Sequence, residues 1–273
     1  MLGGSITTAG LTDRGHVREH NEDAIGNDPE AGLLVLADGM GGLEAGEVAS
    51  ALAVEVVLDD TRRRLSALEG SEIDPATGLS PEALALRDAV HRANAVIREV
   101  AEREPQCAGM GTTLVAVLFH DNRVTVAHVG DSRLYRLGGE RFERVTVDHS
   151  LVQELVERGF YTPEEARTAS NRNIVTRALG IDAAVRVDVQ EIVAEPGELF
   201  LLCSDGLNDM LEDARIGELL TGARGDLELA AARLVDAAKA EGGHDNVSVL
   251  LGRVDRAFPA RRGWRERLGR WLG

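Results

Sequence analysis

Leu33-Leu34-Val35-Leu36-Ala37-Asp38-Gly39-Met40-Gly41-Gly42 is the stretch around which the chain is organised. A short apolar run ended by an acid and a cluster of glycines reads as a buried strand that delivers Asp38 to a tight turn with exposed backbone groups. Two further stretches follow the same plan. Residues 199–206 are an apolar run that ends in Ser204-Asp205-Gly206, and residues 126–131 end in Gly130-Asp131. A fourth acid, Asp245, stands in Gly243-His244-Asp245-Asn246, just before the strand-like residues 247–251. One Asp-Gly or Asp-Asn pair is an ordinary turn signal. Turns do not require an acid at the end of every apolar run, however, so the four together point to strand ends that converge. Clustered carboxylates repel one another and are costly to bury unless a cation neutralises them. Oxygen donors of this kind suit hard divalent ions such as Mg²⁺ and Mn²⁺.

Composition narrows the possibilities. The 273 residues carry a formal charge of -16, which argues against nucleic acid as a partner, because phosphate backbones select basic surfaces. A chain of this length with no evident linker reads as one large domain, residues 1–255, followed by a short tail. Cys107 and Cys203 have neither metal nor redox spacing and read as reduced thiols, with Cys203 in the core. No stretch reaches the roughly 18 apolar residues of a spanning helix, and residues 1–11 lack a secretory core. The expected location is therefore the cytoplasm.

Taken in order, residues 5–9 read as a first strand, and residues 12–23 as a polar segment with too little apolar periodicity for a helix. Residues 24–27 and 33–37 form a strand pair. Residues 45–64 and 81–104 have helical spacing and are expected to be neighbours. Residues 113–119, 124–129, 134–137 and 141–145 are short strands whose brief connections predict antiparallel hairpins throughout. Residues 150–169 read as a polar helical excursion, and the segment of about 150–172 is a candidate flap near the site. Strands at 185–193 and 198–202 and helices at 213–220 and 227–240 complete the pattern.

These motifs, in this order, resemble the metal-dependent serine/threonine protein phosphatases of type 2C, particularly their bacterial members. The resemblance rests on residues 12–23, residues 38–42, Gly111-Thr112-Thr113, Gly130-Asp131-Ser132-Arg133, Ser204-Asp205-Gly206 and Asp245-Asn246, and it spans about residues 5–255. It implies an α+β fold, a four-layer α-β-β-α sandwich of two antiparallel sheets flanked by helix pairs. It also implies two Mn²⁺ or Mg²⁺ ions, with a third bound more weakly. On that reading Asp38 bridges two ions and the Gly39 carbonyl completes one of them. Asp205 and Asp245 bind the other, Glu22 and Asp23 hold metal-bound waters, and Asp131 serves the third ion with Asp205. Arg18 corresponds to the arginine that grips the substrate phosphate.

The implied reaction is hydrolysis of phosphoserine and phosphothreonine in proteins by a metal-bridged hydroxide, in bacterial signalling with serine/threonine kinases or their targets as partners. A catalytically silent regulator of the same fold and a two-metal hydrolase of small phosphoesters are the alternatives. Ser204 and the cysteines are assigned packing roles and no nucleophilic one. Met40 and Leu43 stand where some relatives of this type have histidine, so a metal-bound water is expected to protonate the leaving group, ahead of His16 and His20. In residues 256–273, six arginines accompany one glutamate, and Trp264, Leu268, Trp271 and Leu272 share one helical face. Such a basic amphipathic tail suits an anionic membrane surface or an acidic partner, and equally the acidic body of its own domain.

Overall fold

The computed structural model describes residues 2, 4–42, 45–68, 72–223 and 225–259. Its strands are β1 (Ile6–Asp13), β2 (Asp23–Asp28), β3 (Leu33–Met40), β4 (Gly111–Thr112), β5 (Leu114–His120), β6 (Arg123–Val129), β7 (Arg133–Gly138), β8 (Arg141–Arg144), β9 (Asp188–Val193), β10 (Leu199–Cys203) and β11 (Val247–Val254). Its helices are α1 (Ala45–Ser66), α2 (Pro81–Arg103), α3 (Leu151–Glu157), α4 (Pro163–Thr168), the single turn α5 (Asp205–Asn208), α6 (Asp213–Gly222) and α7 (Leu227–Ala240).

The strands form two antiparallel sheets, one in the order β1-β11-β10-β7-β8 and the other β2-β3-β5-β6-β9, with β4 paired to β3. Three cores divide the molecule into layers. The first lies between α1, α2 and the second sheet, and includes Ala49, Val57, Leu86, Ile97 and Leu114. The second lies between α6, α7 and the first sheet, and includes Ile216, Leu234, Leu201 and Val249. The third joins the sheets through Leu34, Leu36, Val117, Phe119, Phe200, Leu202 and Leu250. Alternation within single strands produces this arrangement. In β3, Leu33, Val35 and Ala37 face the helices while Leu34 and Leu36 face the other sheet, as the two-residue period of a strand requires. The result is the expected α-β-β-α sandwich.

Local signals account for most element ends. Ser80 caps α2 by accepting from the Ala83 N–H, with Pro81 at the first helical position, where its missing N–H costs nothing. Asp121 and Asn122 take φ values of 46° and 53° and close β5 onto β6 in the left-handed turn that matches strand twist.

Two expectations need correction. The strand carrying Asp38 does not end at the acid: β3 runs on to Met40, and Gly39 and Met40 pair with Thr112 and Gly111. The backbone of Gly111–Thr112 offers a ladder that no apolar run announces. The hairpin reading also fails between residues 129 and 133, because β6 and β7 belong to different sheets. Gly130, at φ 105°, turns the chain from one sheet to the other and thereby places Asp131 at the seam.

Phe119 meets Phe200 and Phe258 edge-on, at centroid distances of 5.5 and 6.1 Å, within the inter-sheet core. Phe119→Ala is expected to lower stability by about 3–5 kcal/mol, read as a reduced urea midpoint at unchanged slope.

Candidate active site

The site is assembled at one end of the seam, where strands from both sheets terminate. Asp23 opens β2 directly opposite Asp38 in β3. Asp131 follows the sheet crossing, Asp205 opens α5, and Asp245 precedes β11. The backbone that carries Asp38 is itself fully engaged. The Asp38 N–H donates to Thr113 Oγ1 (3.2 Å), and the Asp38 carbonyl accepts from the Thr113 N–H (2.9 Å) and Thr112 Oγ1 (2.8 Å). Thr113 Oγ1 in turn lies 2.6 Å from Ser132 Oγ, tying the Asp38 strand to the Asp131 loop. Gly39 donates to the Glu22 carbonyl (3.0 Å). A Cβ at Gly39 would stand 2.1 Å from the Gly46 carbonyl oxygen, so this approach of β3 to the start of α1 requires glycine.

The carboxylates are supported unevenly: Asp245 accepts from Arg18 (2.7 Å) and from the Asn246 N–H (2.8 Å) and Asp23 accepts from Ser204 Oγ (2.8 Å), while burial and like charge dominate at Asp38, Asp131 and Asp205. Burial, followed by the charges of Asp23, Asp205, Asp131 and Asp245, raises the Asp38 pKa well above the carboxylate range. Burial and then Asp131, Asp209 and Asp245 do the same for Asp205. Burial raises Asp131 to about 7, with Asp148 adding to it. Asp23 rises to about 6, again chiefly through burial, against the lowering effect of its hydrogen bonds to Ser248 and Ser204. Burial raises Glu22 as well. Five acids whose ionised forms are disfavoured together form a donor set that a divalent cation would satisfy. Arg18 is half exposed and places Nη2 2.7 Å from Asp245 Oδ2; this bond raises its own pKa. It brings a cation to the rim of the cluster.

The structure brings Arg18, Glu22, Asp23, Asp38, Gly39, Asp131, Asp205 and Asp245 to this end of the seam, though no three of these acids bring their oxygens within 4.8 Å of one another. Leu43 lies outside the described residues. His16 and His20 are exposed in the loop leading to Glu22. Three participants escaped the sequence reading. Asn246 organises that loop, since its Oδ1 accepts from the Glu22 N–H (2.8 Å) while Nδ2 donates to the carbonyls of Arg14 (3.0 Å) and His20 (2.9 Å). Ser204 is not a packing residue: its fully buried hydroxyl donates to Asp23 Oδ2 (2.8 Å) and accepts from the Ser248 N–H (3.0 Å). Asp209 lies one helical turn after Asp205, and its N–H donates to the Asp205 carbonyl (2.7 Å). Its carboxyl pKa is raised by burial against the opposing effect of Arg172, and the i, i+4 spacing from Asp205 was its only signal. Beside the cluster, between α3, α4 and residues 205–213, lies an open cavity of about 650 Å³ that reaches Asp131 and Asp205.

Comparison with known proteins agrees with this fold. A family profile described as protein phosphatase 2C matches residues 12–241. The chain belongs to the protein phosphatase 2C family. It is 38% identical over 243 residues to a serine/threonine phosphatase stp of Listeria innocua, covering 88% of this chain and 92% of that one. It is 41% identical over 250 residues to the serine/threonine protein phosphatase PstP of Mycobacterium tuberculosis, covering 90% of this chain but 44% of that longer protein. The crystal structure of the same Mycobacterium tuberculosis phosphatase superposes with a TM-score of 0.78 at 38% identity, covering 92% of this chain and 99% of that one. A structure of the PstP catalytic domain in complex with two manganese ions superposes at 0.76 and 38% identity, covering 91% and 97%.

The raised carboxyl pKa values make metal-free stability depend on pH. An unfolded Asp titrates near about 3.9, so above that value the folded chain retains protons that the unfolded chain has lost. Stability is thus present at lower pH and lost as pH rises through the folded values of about 6 and 7. Buried histidines with lowered pKa values, such as His128 at about 4, act in the opposite sense, but only below about 6.5. In chelator, the melting temperature is expected to fall between pH 6.5 and 8.5, and to fall less in Asp131→Asn. Equal slopes in the two proteins would contradict the Asp131 assignment.

Proposed function

We propose that the protein hydrolyses phosphoserine and phosphothreonine in protein substrates with the aid of two divalent cations, Mn²⁺ or Mg²⁺. The observation that carries this reading is the convergence of Asp38, Asp205 and Asp245 at one end of the sheet seam, with Asp38 and Asp205 buried among like charges, in a chain of the protein phosphatase 2C family. Asp38 would serve both ions, the Gly39 carbonyl would complete one of them, and Asp205 and Asp245 would hold the other. Glu22 and Asp23 stand where they would bond waters of the metal shell, and Asp131 would hold a third ion with Asp205. Cations bound in this way supply Lewis acidity and lower the pKa of bound water.

The chain's own residues do the rest. The hydrogen bonds of Thr113, Ser204 and Asn246 fix the acids before substrate arrives, so little reorganisation is needed at the moment of reaction. Arg18, bonded at one edge to Asp245, presents its remaining donors toward solvent, and a planar fork of this kind suits two phosphate oxygens. The adjoining cavity leaves room for the polypeptide around the phosphorylated residue. Phosphorylated serine/threonine kinases and their targets are the substrates we propose. Among the described residues no helix is long and apolar enough to cross a membrane. Most of the basic tail lies beyond those residues, and we propose contact with an anionic surface for it on composition alone.

The deciding experiment is phosphate release from a phosphothreonine peptide. With Mn²⁺ the protein is expected to turn over, and chelator should abolish the activity. Asp38→Asn should reduce it at least about 100-fold, whereas turnover that survives both treatments would overturn the reading. In the same assay Arg18→Ala is expected to raise KM about tenfold.

A further inference from the structure

His149 stands just before α3 and Asp188 opens β9, so the two residues close the base of the excursion that separates β8 from β9. Both converge on the loop carrying Asp131. His149 is 5% exposed and grips Gly130 on both sides of its Cα. The His149 N–H donates to the Gly130 carbonyl (2.9 Å), and the Gly130 N–H donates to His149 Nδ1 (3.0 Å). Because Nδ1 accepts from a backbone N–H, the ring proton resides on Nε2, which lies 3.1 Å from Asp188 Oδ2 and 3.0 Å from Arg177 Nη1; of these two only the carboxylate can accept it. Asp188 is held in turn by Arg177 Nη1 (3.1 Å) and Arg186 Nε (3.3 Å). The His128 ring covers the other face of His149, at a centroid distance of 4.2 Å and an angle of 30°.

His128, His149 and Asp188 are close enough to share a metal ion, and His128 Nε2 is buried without a partner. The tautomer argues against that use. Coordination through His149 Nε2 would require the proton to leave a ring whose other nitrogen already accepts from Gly130, and Arg177 already supplies a cation beside Asp188. The arrangement is instead that of a carboxylate orienting an imidazole, which orients a loop.

We propose that His149 is a positioning residue for Asp131, and that Asp188 acts through it by holding the imidazole in the tautomer that accepts from the Gly130 N–H. Gly130 has a positive φ, and a Cβ there would stand 2.6 Å from Thr113 Cβ, so the peptide before Asp131 has little side-chain support of its own. His149 provides that support, and it links the placement of Asp131 to the base of the 150–187 excursion. The inference rests on the reading that Asp131 holds a divalent cation.

The test is equilibrium Mn²⁺ binding to the whole protein, followed by the electron paramagnetic resonance of the free ion, with melting temperature as a control for folding. Asp131→Asn is expected to abolish the weakest-bound ion and leave the tighter ones. His149→Ala and His149→Gln should weaken that same ion about tenfold. His149→Asn places Oδ1 where Nδ1 stood, keeps the acceptor for Gly130, and should remain within about threefold of the native affinity. Asp188→Ala should weaken the ion in the same direction as His149→Ala. Should His149→Ala not fold, the contrast between Asn and Gln carries the comparison. Loss of the ion in Asp131→Asn with native affinity in His149→Ala or His149→Gln would overturn the positioning role alone, as would an Asn variant no better than Gln. Native binding in Asp131→Asn would overturn the Asp131 reading, and this inference with it.

Discussion

Mutual repulsion among carboxylates withdrawn from water is the constraint around which the molecule is built. Asp23, Asp38, Asp131 and Asp205 all have pKa values raised by burial and by one another's charge or that of nearby acids. Left to itself, such a set would spread apart or take up protons. It is held together because each acid is attached to a strand end or crossing that the sandwich cannot easily move. The inter-sheet core of Leu34, Leu36, Val115, Val117, Phe200 and Leu202 fixes β3, β5 and β10 against one another within a few residues of the acids. Packing energy spent there maintains an electrostatic arrangement that a cation then stabilises.

The placement of the arginines is consistent with this. Arg133 lies two residues from Asp131 and could have neutralised it. Its guanidinium instead makes a forked contact with Asp148, at 2.7–3.2 Å, and reaches Tyr135 Oη at 3.0 Å. The Tyr135 hydroxyl donates to Asp213. Arg172 engages Asp209 (3.5 Å) on the outer side of the cluster. Cations close to the site are thus largely committed to acids outside the converging set, which keeps the inner carboxylates available as donors. Arg18 is the contrast: it sits on an exposed loop and contacts Asp245, where it remains open to solvent and to an incoming anion.

Much of this was legible in the chain, for local reasons. Apolar runs with two-residue or helical spacing specify strands and helices through side-chain direction alone, so α1, α2 and α7 and the strands around Asp38 and Cys203 lie close to where the pattern puts them. The Asp121-Asn122 turn is readable because its φ values suit those residues. The acids at run ends point to the site only together, since one acid and glycine after a buried run is an ordinary turn signal but four such ends imply convergence. Asn246, Ser204 and Asp209 were harder to read. Their roles depend on which backbone groups lie opposite them, and those groups come from the Glu22 loop, β11 and α5.

The sequence by itself determined most of the elements and the acids at the ends of the apolar runs, because propensity, periodicity and turn chemistry act over a few neighbouring residues, while the layered class of the fold was legible only through the resemblance of its ordered motifs to a known family. Tertiary structure alone decided that β6 and β7 enter different sheets, that β3 continues past Asp38 to meet β4, and that His149 and Asp188 clasp the Asp131 loop. These facts depend on pairings between residues tens of positions apart, chosen by burial and hydrogen-bond satisfaction across the whole sandwich. No window of local sequence contains both partners, so the choice becomes visible only once the sheets have closed on each other.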